Sequence, residues 1–88
     1  MVYLITYDLN KTGQDYSGLY EAIKSIGDWW HYLDSNWLVR TDFNVTQISS
    51  ILNKKIDQND QLLIIRVMKD YDGWLPRDAW NWLNNINF

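Results

Sequence analysis

The sequence predicts a single α+β domain: a four-stranded antiparallel sheet with two helices on one face, followed by a helical C-terminal tail. Three observations predict it. Apolar, β-branched runs alternate with helical stripes in the order strand, helix, strand, strand, helix, strand. No internal repeat or low-complexity linker interrupts that order, and 88 residues allow one domain and no more. Fourteen rings (six Trp, six Tyr, two Phe) bury much area per residue, which a domain of this size needs.

Val2 to Leu9 is an apolar run closed by Asn10-Lys11-Thr12-Gly13, so it reads as a first strand entering a loop. Leu19, Ala22, Ile23 and Ile26 then recur as one helical stripe, with Asp15 or Ser17 as candidate cap and Gly27 placed for a left-handed stop. Trp29 to Leu33 and Trp37 to Thr41 are β-prone runs separated by Asp34-Ser35-Asn36, a hairpin. Asn44 and Gln47 have capping-box spacing ahead of Ile48, Ile51, Leu52 and Ile56, a second helix. Asn59-Asp60 signals a turn, and Leu62 to Val67 is the last strand. This βαββαβ order is the split βαβ, or ferredoxin-like, pattern, spanning residues 1–70, with residues 71–88 as a tail packed on the same domain.

One sheet face carries the helices, yet the first and last strands are apolar on both sides, so the second face also needs a cover. The chain offers one cover in its tail, where Trp74-Leu75-Pro76 opens a helix whose Leu75, Ala79, Trp82, Leu83 and Ile86 form a stripe. A second copy in a twofold homodimer is the other. Trp80 lies off the stripe's centre and invites a partner. Asp70, Asp72 and Gly73 form an acidic hinge without EF-hand spacing.

A net charge of −3, with bases scattered, argues against general nucleic-acid binding. The absence of cysteine excludes disulfides, thiolate nucleophiles and cysteine zinc sites, and suits a cytoplasmic protein. The first residues lack a basic n-region and reach Asp8 after seven positions, so they predict neither a signal peptide nor a membrane span. The loop 10–14 is too short and glycine-poor for a phosphate cradle.

Asp8 is the candidate catalytic and metal-binding residue. It ends an apolar strand, on the face of Leu4 and Thr6, where a carboxylate meets solvent on a rigid backbone. Oxygen ligation there suits magnesium or calcium, with Asn10 as neighbour and a second Asp8 brought in by a twofold axis. The competing reading is an Asx-turn closing the strand. His31, the single histidine, is a candidate general acid or base, or a packed ring. One histidine supports no hydrolase triad and no histidine-rich zinc site. Trp29, Trp30, His31, Tyr32 and Trp37, with Arg40 as the nearest base, are the candidate binding residues. They suit stacking of nucleotide rings, although Asp28, Asp34 and Asp42 surround them and favour core or interface packing.

The strand Val2-Tyr3-Leu4-Ile5-Thr6-Tyr7-Asp8-Leu9, ending in Tyr-Asp within a βαββαβ order, resembles the small metal-dependent nuclease subunit of CRISPR adaptation complexes and the virulence-associated protein D ribonucleases. Over nearly the whole chain the sequence resembles short uncharacterised bacterial and phage proteins labelled SinR-like, through Tyr7-Asp8-Leu9-Asn10, Leu19-Tyr20-Glu21-Ala22-Ile23-Lys24 and Trp29 to Ser35. The nuclease resemblance implies a ferredoxin-like homodimer with Asp8 of each subunit facing a magnesium ion. Only Asp8 carries over: the bases of that family's first helix are reduced to Lys24, and Trp29-Trp30-His31-Tyr32 replaces its second-strand pattern. The expectation is therefore a cytoplasmic dimeric module binding a partner, such as another protein, without catalysis; the alternative is a magnesium-dependent nuclease built on paired Asp8 carboxylates.

Overall fold

The computed structural model describes residues 1–10 and 15–88; residues 11–14, which the sequence reads as part of a loop, lie outside the described residues. The elements are β1 (Val2–Asp8), α1 (Ser17–Ile26), β2 (Asp28–Leu33), β3 (Asn36–Arg40), α2 (Val45–Leu52), β4 (Gln61–Val67) and α3 (Arg77–Asn84), with one 3₁₀ turn, Asn53–Lys55, extending α2. The four strands form one sheet in the order β2-β3-β1-β4, with every pairing antiparallel. The two most regular ladders flank β1: Tyr3 stands opposite Val39 and Arg66, and Ile5 opposite Trp37 and Ile64.

Alternation along β1 decides what each face buries. Tyr3 and Ile5 join Trp37 and Val39 on the face where α1 contributes Leu19, Ile23 and Ile26 and α2 contributes Ile48 and Leu52, and all nine are buried in one core. Each side chain of this kind contributes about 1.5–3 kcal/mol on leaving water. On the other face Val2 and Trp30 are buried, as are Ala79 and Leu83 of α3, which lies against β2. The tail is thus a cover for the β2 side of that face. It stops short of β4, where Leu63 and Ile65 stay 55% and 47% exposed.

Local chemistry explains the helix ends, with two corrections. The Asn44 and Gln47 capping box is present in full, with reciprocal bonds of 2.8 and 2.9 Å. At α1 the cap position is Tyr16 rather than Asp15 or Ser17; Asp15, one residue earlier, accepts from the Ser17 N–H at 2.9 Å, which holds its carboxyl below the ordinary value. Gly27 does not adopt the left-handed conformation: its φ of 174° is extended. Glycine is needed there because a Cβ would meet the Arg40 carbonyl oxygen at 2.1 Å, so α1 enters β2 hard against β3. At α3, Pro76 occupies the cap position, and Trp74 lies outside the helix at 97% exposure.

Candidate functional site

Asp8 closes β1 opposite Gln61 of β4, exposed and on the side of the sheet that α3 leaves open. A shallow cavity of 380 Å³ lies beside it, lined by Thr6, Tyr7, Gln61, Leu62 and Leu63. Asn10, the expected neighbour, is turned to other work: its side chain donates to the Asn59 carbonyl at 2.8 Å and its backbone N–H to Asp60 at 2.9 Å. Among the described residues no three His, Cys, Asp or Glu side chains gather into a group able to hold a metal. A cation at Asp8 would therefore draw its remaining ligands from water or from a second subunit, as oxygen-rich magnesium sites commonly do.

Asp60 is the residue that sequence reasoning undervalued, since only its turn propensity was readable. Its carboxylate is buried and accepts from the Tyr16 hydroxyl at 2.7 Å, the Asn10 N–H at 2.9 Å and the Asp57 N–H at 2.8 Å. Three donors on one buried carboxylate tie together the chain leaving β1, the start of α1 and the turn into β4. This anchors the chain just after Asp8 to the turn that leads into Gln61, its neighbour across the ladder.

The candidate binding rings do not form one platform. Trp37 is buried on the helix side, with His31 stacked on it at 3.9 Å and 4°, Tyr20 of α1 at 6.2 Å and Trp29 tilted at 5.3 Å. Lys24 sits 5.1 Å above the Trp29 ring, and the His31 Nδ1 lies 3.0 Å from the Asn36 carbonyl oxygen. Trp30 and Tyr32 pair edge-on at 5.1 Å on the opposite side, where Trp30 is buried and its indole N–H has no hydrogen-bond partner among the described residues. Arg40 pairs with Asp28 at 3.2 Å across the β2–β3 ladder. The ring faces of Trp37 and Trp30 are taken by their own neighbours, which leaves Trp29, His31 and Tyr32 as the exposed members.

Tyr7 links this stack to the strand that carries Asp8. Its hydroxyl oxygen accepts from the Trp37 indole N–H at 3.0 Å, and burial pushes its pKa above the ordinary value against the opposing effect of that bond. In the tail, Tyr71 stacks on Trp80 at 6.4 Å and meets Phe88 at 5.6 Å, so Trp80 is half-buried by the chain itself.

No helix among the described residues is long and apolar enough to cross a membrane. No family model matches the sequence, and no curated protein matches it.

Proposed function

We propose that the protein is a small cytoplasmic binding module that acts as a homodimer on a ferredoxin-like scaffold and engages a protein partner without catalysis. The observation that carries this reading is the half-covered second sheet face, where Leu63 and Ile65 remain about half exposed on a strand apolar on both sides. Exposed apolar surface concentrated on one element marks an interface more often than a stable free surface. Trp74, almost wholly exposed, adds an aromatic anchor of the kind enriched in binding hot spots. The βαββαβ order is compatible with such a scaffold.

A second reading is favoured by one observation: Asp8 presents a carboxylate to solvent at the end of a rigid strand, beside the open half of the sheet. On this reading the protein is a magnesium-dependent nuclease in which Asp8 from each subunit holds a shared ion that activates water for phosphodiester cleavage. A shared ion requires the two Asp8 residues to approach within about 10 Å, because metal–oxygen bonds are short. The deciding experiment incubates the protein with labelled RNA and DNA, with and without magnesium, beside Asp8→Ala. The binding reading expects intact substrates throughout; magnesium-dependent cleavage lost in Asp8→Ala would replace it with the nuclease.

A further inference from the structure

Among the described residues β4 has a neighbour on one side only, so the outer N–H and C=O groups of Gln61–Val67 have no ladder partner. Natural edges are guarded by charge, proline, irregular register or a covering element, because a bare regular edge is a template for another strand. Of these guards β4 has one charge, Arg66, near its C-terminal end: it is seven residues long, pairs with β1 in unbroken register and contains no acid and no proline. Beside the edge runs a groove of 390 Å³ lined by Val45, Thr46, Ser49 and Ser50 of α2 and by Leu62 and Ile64 of β4. The helix side of that groove is built from small side chains, so a neighbouring helix could lie close to it.

We infer that β4 is the joining edge between two copies of this chain, paired antiparallel across a twofold axis normal to the sheet, with the α2 flanks packed beside the new ladder. This rests on the dimer reading above and names its surface. Charge permits a second copy as the occupant. Of eight basic and eleven acidic residues in the chain, only Arg66 lies in β4 or α2, so two copies with net charge −3 meet along a strip free of acids. Symmetry selects it: an antiparallel strand pairs with itself, and an axis at Ile64 sets Leu63 beside Ile65 of the partner subunit, so the two exposed side chains cover each other. Association through this edge is an equilibrium between copies, so it depends on concentration.

The geometry has a consequence for Asp8. With about 3.3 Å per residue and about 4.8 Å between strands, an axis at Ile64 leaves the two Asp8 residues roughly 25 Å apart. An edge-paired dimer and an ion shared between Asp8 carboxylates therefore exclude each other.

The test uses the full chain, which has no cysteine of its own. Leu63→Cys, Ile64→Cys and Ile65→Cys are oxidised separately beside Asn81→Cys, an exposed position on α3 at the far side of the sheet. The residue on the axis faces its own copy at about 4.5–5.5 Å between Cα atoms, within disulfide range. A disulfide-linked dimer is expected at one of the three β4 positions and not at Asn81→Cys. Sedimentation of the unmodified chain is expected to show a dimer that Leu63→Lys with Ile65→Lys weakens at least tenfold, with circular dichroism unchanged. A dimer that resists both lysines, or that cross-links at none of the three positions, overturns the edge pairing and leaves the dimer reading standing. A monomer at every concentration overturns both.

Discussion

The sheet has two edges, and the chain treats them in opposite ways. At β2 the pairing with β3 loses register between Trp30 and Leu33, Asp28 and Arg40 form an ion pair across the ladder, and α3 lies against the strand. At β4 the register is unbroken, charge is confined to Arg66, and apolar side chains remain half exposed. The difference teaches where this small domain keeps its stability and where it keeps its contacts. The β2 side is closed by rings and a helix, and substitutions there should cost folding energy. The β4 side is open, and substitutions there should cost association.

The strongest way to break this comparison is Trp37→Ala. Trp37 is buried at the meeting point of His31, Trp29, Tyr20 and the Tyr7 hydroxyl, so truncation removes a large ring and leaves four groups without their neighbour. Denaturant unfolding should report a loss of about 3–5 kcal/mol. Stability barely changed would mean that the aromatic stack is surface ornament and the β2 side is no better built than the β4 side. Next in size is Gly27→Ala, where the new Cβ collides with backbone rather than with a movable side chain. The β2–β3 register must shift to admit it, at a cost of about 1–3 kcal/mol, and amide exchange should rise along both strands.

Much of the fold was readable from sequence because its signals are local. The capping box of α2, the stripe of α1 and the hairpin at Asp34 and Ser35 each follow from neighbours within a few residues. Gly27 was readable as a helix stop, but its reason was not: the demand comes from the Arg40 carbonyl, thirteen positions away in sequence and adjacent only in the fold. The five candidate binding rings were readable as a cluster, whereas their division between faces depends on strand alternation and on the irregular register after Trp30. Asp60 shows the same limit more sharply. It reads as a turn residue, and the donors from Asn10, Tyr16 and Asp57 come from parts of the chain that no periodicity connects.

Tyr7 offers a smaller test, with a sign fixed by its titration. Burial raises the pKa of its hydroxyl above the unfolded value near 10.0. The folded chain therefore keeps this proton at pH values where the unfolded chain has released it. Its contribution to stability is complete below the unfolded pKa and is lost as pH rises from there through the folded pKa. Tyr7→Phe removes this part of the alkaline slope. It also leaves the Trp37 indole N–H without its acceptor, which should cost about 1 kcal/mol at neutral pH. An alkaline slope identical in the two proteins would place the titration elsewhere among the tyrosines.

The smallest expected stability effect belongs to the β4 edge, and it sharpens the comparison most. Leu63 and Ile65 already meet water over about half their surface, and their strand is held to β1 by its backbone ladder. Replacing either with lysine keeps the aliphatic stem against the sheet and sends the ammonium outward. Measured at concentrations where the chain is monomeric, each substitution should change unfolding free energy by no more than about 0.5 kcal/mol. A loss of several kcal/mol in the monomer would mean that these side chains support the fold from within. The apparent openness of β4 would then be a packing surface of the domain itself, and the contrast between the two edges would fail at its simpler end.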